Sequence, residues 1–210
     1  MTVSVFNVLV GGDDGYTYQE GAAYPPADAI TVDDLTTEVV PRKSLSGGVY
    51  YVGPGLMRWD TSGLGPSAVI SSALLRIDVT GKNDNDGRSL TGEWYTHDGS
   101  ISSADHTNTV GTDAHAGTAL SLISVAADQE FALAALTNIS KTGYSGLRMH
   151  ISGAAPTLPN NVLWAALEHA SSIEARLVVT HTPADIQFMG ANSVFGEQQP
   201  AMTLVGVVGY

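Results

Sequence analysis

His97, Asp98, Asp105, His106, Asp113 and His115 gather imidazoles and carboxylates within one stretch of the chain. Such groups ligate zinc and carry acid–base chemistry. Their spacing matches no H-E-x-x-H motif, and no helical period presents them one turn apart. A solvated polar loop is therefore the favoured expectation. A second run, Asn83-Asp84-Asn85-Asp86-Gly87, is rich in the oxygen ligands a hard cation prefers. Aligned to a helix–loop–helix calcium site, Asp84, Asp86 and Gly87 bring Glu93 to the last ligand position. The first position then falls on Lys82, and the flanks read as strands, so a polar hairpin turn is the better reading. No cofactor is expected, since a structural calcium ion has no specific motif behind it.

Aromatic faces stack on sugar rings and bring polar edges with them. Tyr16, Tyr18, Tyr24, Tyr50, Tyr51, Trp94 and Tyr95 are the candidates, with Trp94, Tyr95, Tyr16 and Tyr18 taken as the expected glycan site. The competing reading is ordinary packing between strands. Nucleophilic chemistry finds little support. The chain has no cysteine, no G-x-S-x-G, no phosphate-binding loop and no dinucleotide fingerprint. Asp13, Asp14, Asp33 and Asp34 sit in turn-like contexts, which argues against a carboxylate pair for glycoside hydrolysis. No catalytic centre is expected. Asn138-Ile139-Ser140 fits a glycosylation sequon, which matters only in a secreted chain.

The elements that position these residues read as short strands. Leu75, Ile77 and Val79 alternate with Leu74, Arg76 and Asp78, the period of a half-buried strand. Leu147, Met149 and Ile151 alternate with Arg148 and His150. Val3 to Val10, the Tyr16–Tyr18 segment, Val49 to Val52, Leu56 to Asp60, Leu90 to Tyr95, Val162 to Leu167 and Arg176 to His181 complete the set. Pro25 and Pro26 forbid regular pairing in the segment from Ala22 to Asp28. Gly53-Pro54-Gly55 marks a compact turn or bulge. Phe131 to Ile139 reads as a strand and turn, or a short helix. Thr96 to Ala119 reads as a long surface excursion. Arg58 with Asp60, and Arg76 with Asp78, lie two apart and suit cross-strand ion pairs. Helical periodicity is weak throughout. The expected fold is all-β, a two-sheet antiparallel jelly-roll β-sandwich over residues 1–182. Its expected core is Leu56, Leu75, Ile77, Val79, Leu147, Met149, Leu177 and Val179.

Composition agrees with a folded domain: 43% hydrophobic and 14% charged residues, with 23 glycines among 210 residues. Disorder needs the opposite balance. A formal charge of −12, from 9 basic and 21 acidic residues, argues against nucleic acid and against anionic membrane surfaces. The first residues carry no basic, apolar export signal. Past Pro183, residues 183–210 form an apolar, Gly-rich extension with no charge after Glu197. Phe188, Phe195, Met202, Leu204, Val205, Val207, Val208 and Tyr210 are its expected docking residues, because apolar surface of this kind marks a contact. The run from Met202 to Tyr210 suits strand addition to a neighbour's sheet edge, or completion of this chain's own sandwich.

Two segments carry a family resemblance. Gly55-Leu-Met-Arg-Trp-Asp-Thr-Ser-Gly-Leu-Gly-Pro-Ser-Ala-Val-Ile-Ser-Ser-Ala-Leu-Leu-Arg-Ile-Asp-Val resembles the L-R-F-D-L-S-x-L … V-x-x-A-x-L-R-L signature of DNRLRE-type domains. These are similar to jelly-roll carbohydrate-binding modules. Ala170-Ser-Ser-Ile-Glu-Ala-Arg-Leu-Val-Val-Thr-His resembles that family's closing strand. Asp13 to Asp33, with Tyr16 and Glu20, sits where the opening segment belongs. Trp59 replaces the usual Phe, and Arg176 stands where proline is common. The resemblance spans about residues 12–182 and implies a sandwich of the kind found in polysaccharide-binding appendages, adhesins and phage virion proteins. Joined to the lack of an export signal, it implies a virion structural protein on the particle surface, most simply a head decoration (cement) protein or a tail-associated variant. The expected partners are other virion subunits, above all the major capsid protein, and further copies of the chain. The alternative is a glycan-binding module or adhesin for a host or environmental polysaccharide.

Overall fold

The computed structural model describes residues 1–96, 99–108 and 111–183. Its strands are β1 (Thr2–Asn7), β2 (Asp14–Gly21), β3 (Thr31–Asp33), β4 (Glu38–Val39), β5 (Arg42–Ser46), β6 (Val49–Gly53), β7 (Gly55–Asp60) and β8 (Val69–Ile77). They continue with β9 (Val79–Asp84), β10 (Ser89–Tyr95), β11 (His115–Ala119), β12 (Gln129–Leu133), β13 (Tyr144–Ile151), β14 (Asn160–Ala165) and β15 (Arg176–Thr182). The only helices among the described residues are three-residue 3-10 turns. The strands form two antiparallel sheets packed as a β-sandwich. The smaller runs β1-β15-β8-β12; the larger runs β11-β10-β13-β7-β2-β6-β5-β14-β4, with β3 beside β2 and β9 beside β14.

The eight expected core residues are all buried. Seven share one apolar cluster between the sheets, where Trp59, Trp164 and Met57 are among the largest fully buried side chains. Leu56 is the exception. Met57 and Trp59 face that cluster, whereas Leu56 lies opposite Arg148 on the other face of its strand. That face is covered by the 99–108 segment, through bonds from Arg148 Nη1 to the Asp105 carbonyl and from the Ile101 amide to the Gly12 carbonyl. The excursion from Thr96 is therefore, in its described part, a covering layer rather than a solvated loop. Its later part forms β11, with Ala114 and His115 buried.

The segment Ala73 to Thr80 is not one strand. The chain leaves the smaller sheet at Ile77 and enters the larger one at Val79. Asp78, at the corner, is 7% exposed. Its Oδ1 accepts the Asp128 amide at 2.9 Å and its Oδ2 accepts the Ile173 amide at 3.0 Å. Its carbonyl takes the Ala165 amide at 3.0 Å. Arg176 stands 3.8 Å away and pairs more closely with Asp128. Asp128 itself adopts a positive φ of 54°, a conformation Asp tolerates better than most residues. The expected cross-strand ion pair forms at Arg76, while the other residues find partners outside neighbouring strands. Arg76 pairs across the strand with Glu130, Arg58 pairs with Asp13, and Asp60 accepts the Ser62 amide.

The run from Gly81 is also corrected. Residues up to Asp84 belong to β9, which pairs with β14, while β10 pairs with β11 and β13. The turn between them is a corner joining non-adjacent strands, not a hairpin.

Replacing Asp78 with Ala removes a buried carboxylate and strands two part-buried amide donors, each costing about 1–2 kcal/mol. The expected loss in urea unfolding is about 2–4 kcal/mol with an unchanged slope. A loss below about 0.5 kcal/mol, the range of an ordinary surface change, would contradict the corner's role.

Candidate ligand-binding face

Around β2, β6 and β5 the larger sheet gathers three tyrosines and one arginine on one side, where Tyr16 packs against the edge of the core cluster. Tyr16 and Tyr18 share a face of β2, as their spacing predicts, with ring centroids 6.0 Å apart and planes 27° from parallel. Tyr51 on β6 lies 6.3 Å from Tyr18. Arg42 on β5 reaches back across β6, placing its guanidinium carbon 3.7 Å from the Tyr18 ring centre, 5.2 Å from Tyr16 and 5.4 Å from Tyr51. Gly53 makes that reach feasible. It pairs with Arg42, and a Cβ there would lie 1.9 Å from the Thr17 carbonyl oxygen and 2.7 Å from the Tyr18 Cα. Any side chain at 53 would drive β2 and β6 apart.

Tyr16 donates to Asp33 at 2.9 Å, and burial, then that bond, pushes its hydroxyl up to about 12. It stays a neutral donor at any physiological pH. Beside Tyr51, an open groove of about 280 Å³ is lined by Arg42, Ser44, Ser46, Tyr51, Pro159 and Asn161. Half-exposed aromatic rings, one cation and a row of hydroxyl and amide groups make a surface suited to a ring-shaped polar ligand.

The other predicted aromatics lie elsewhere. Tyr24 and Tyr50 form an edge-on pair 5.5 Å apart. Trp94 and Tyr95 lie on β10, three strands from β2, and as neighbours on a strand they point to opposite faces. The Trp94 indole packs against the core and donates to the Ala134 carbonyl at 2.9 Å. Tyr95 lies under the Arg148 guanidinium at 4.9 Å. A hollow of about 350 Å³ beside Trp94 is lined by Tyr95, Thr96, Asp113 and Asn138. The four residues expected to form one glycan platform thus fall into two groups, and only Tyr16 and Tyr18 join the ladder.

The His/Asp set is likewise dispersed. His97 and Asp98 lie outside the described residues. His115 is buried edge-on against Phe131 and bonded to the Ala132 carbonyl and to Thr118. Asp105 caps a 3-10 turn through Ser102. Asp113 accepts the Trp94 amide. His106 bonds Thr17 and Asn108, and burial lowers its pKa. Nearby, Glu93 joins Arg148 at 2.9 Å and His150 at 3.1 Å. The bond from His150 holds the Glu93 carboxyl below its ordinary range, while burial lowers the His150 pKa. Together these groups lock the covering segment onto the sheet.

The calcium-like run is also committed to protein donors. Asp86 accepts Thr157 through its amide and hydroxyl and Asn160 through its amide, and it faces Arg88. Those bonds hold its carboxyl well below the usual range. Among the described residues no group of three or more His, Asp or Glu is placed to hold a metal ion. Phe188, Phe195, Met202, Leu204, Val205, Val207, Val208 and Tyr210 all lie outside the described residues.

Arg42 escaped the sequence reading. Its strand, Arg-Lys-Ser-Leu-Ser, has too little apolar alternation to announce itself. Comparison with family models, with curated proteins and with solved structures returns no match.

A separate feature is Asp14, fully buried, with Oδ2 accepting the Leu167 amide and Oδ1 without a hydrogen-bond partner. Burial first, then the nearby Glu168, raises its pKa to about 8. The folded state therefore holds a proton that the unfolded chain releases above the ordinary value of 3.8. The stability from this group is full below that value and is lost as pH rises towards about 8. Asp14→Asn keeps an acceptor for Leu167 without the charge. It should match the parent at pH 4 and exceed it at pH 9 in urea midpoint. An equal or lower midpoint at pH 9 would contradict the assignment.

Proposed function

We propose that the chain is a non-catalytic virion structural protein, a decoration protein that seats on the capsid surface and contacts the major capsid protein and further copies of itself. The observation that supports it most is the outer face of the smaller sheet. Val3 and Val5 on β1, at 60% and 53% exposure, run alongside Val178, with Leu74 and Ala132 beyond. Among the described residues β1 is also an edge strand. An apolar face beside an edge strand suits burial against another subunit. A charge of −12 suits a basic docking surface on that partner. No helix among the described residues is long and apolar enough to cross a membrane.

A second reading, a glycan-binding module, is favoured by the Arg42–tyrosine ladder. The two are compatible, since the apolar face and the ladder lie on different sheets.

The first reading is tested on purified particles. The chain should be present at a copy number matching the capsid lattice. A Val3→Lys, Val5→Lys double variant should fold with a stability change within about 0.5 kcal/mol per site, as exposed positions allow. It should be retained on particles at least tenfold less well. Absence of the parent chain from intact particles would overturn the reading.

A further inference from the structure

Each of the other arginines has a carboxylate partner: Arg58 with Asp13, Arg76 with Glu130, Arg88 with Asp86, Arg148 with Glu93 and Arg176 with Asp128. Arg42 has none among the described residues, in a chain with 21 acidic residues to 9 basic ones. Its Nε is buried without a hydrogen-bond partner. The guanidinium is held instead over tyrosine rings, with Tyr18 at 3.7 Å, and it opens on the groove of about 280 Å³. Stacking engages the face of a guanidinium, so with Nε buried the two terminal Nη nitrogens are the donors left for a ligand in a fixed fork. A fork of that kind matches a carboxylate in two parallel charge-assisted bonds.

From this we infer that the groove is the site of an acidic sugar, whose carboxylate pairs with Arg42 while its ring packs on Tyr51. The inference rests on the glycan-binding reading and narrows it to uronate- or sialate-bearing glycans. A groove of this size holds about one or two sugar rings. Aromatic faces beside the cation favour a sugar over a bare carboxylate, because a pyranose offers them an apolar face. The charge of −12 repels a dense polyanion. The ligand is thus a glycan whose acids are spaced apart. Exposed Glu20, opposite Tyr51 in register, and Asp33, bonded to Tyr16, are acidic neighbours on this face, and they add to the selection against closely spaced charges.

The test is titration calorimetry on the full chain with two acidic probes and their uncharged counterparts. These are sialyllactose against lactose, and a hyaluronan tetrasaccharide against its carboxyl-reduced form. At least one acid should bind tenfold or more tighter than its counterpart. Arg42→Met should bring the acid and its neutral counterpart to within about twofold of each other, whereas Tyr51→Ala should weaken both. Should Arg42→Met fail to give a native thermal melt, Arg42→Lys serves instead. Lysine keeps the charge without the fork and should lose most of the advantage. Equal binding of acid and neutral forms overturns the inference while sparing the glycan reading. Acid preference that survives both Arg42 variants overturns the site. No binding to any of the four probes overturns the inference and the glycan reading together.

Discussion

The chain changes sheets without a loop, and Asp78 is the residue where it does so. A strand crossing from one layer to the other interrupts its own ladder. The backbone groups around the crossing must then find partners elsewhere. Asp78 meets that need through three acceptors, taking the amides of Asp128, Ile173 and Ala165. Those amides belong to the turn before β12, the approach to β15 and the end of β14. One residue, through its side chain and its carbonyl, therefore ties together segments of both sheets. Arg176 balances the buried charge through Asp128 and Asp78 together.

The candidate binding face inherits its geometry from that corner. β9 leaves Asp78 and pairs along β14, whose far edge meets β5. β5 pairs with β6 and β6 with β2, so Arg42, Tyr51, Tyr18 and Tyr16 stand on consecutive strands. Gly53 keeps two of those strands close enough for the guanidinium to lie over the Tyr18 ring. Side chains held on paired strands keep their spacing better than side chains on loops. The buried network of Glu93, Arg148 and His150 serves the neighbouring part of the sheet in another way, tying down the covering segment.

The sandwich and most of its core were legible because β8 and β13 alternate cleanly at period two, and burial follows alternation. The same signal hid what mattered for function. β5 alternates polar with polar, so Arg42 and Lys43 look alike in sequence. In the fold Arg42 faces the tyrosines, while Lys43 is buried, bonded to the Gly153 carbonyl, and lowered to about 8 chiefly by burial. Period two also carries no warning that a strand continues into the other sheet, so Asp78 read as an outward residue. His115 and Asp105 looked solvated because Phe131 and Ser102, which enclose or bond them, act through tertiary contacts that local composition does not reveal. Trp94 and Tyr95 looked like one platform only until strand geometry turned them to opposite faces.

The Asp78 corner should make the two sheets one cooperative body, so that the binding face is as rigid as the core. Native-state hydrogen exchange measures this directly, because amides in one cooperative unit exchange through the same opening. The amides of β2, β5, β9 and β14 should exchange with the same free energy and denaturant dependence as those of β8 and β15. A lower-energy opening confined to β5, β9 and β14 would show that the corner does not join the sheets, and would contradict the account.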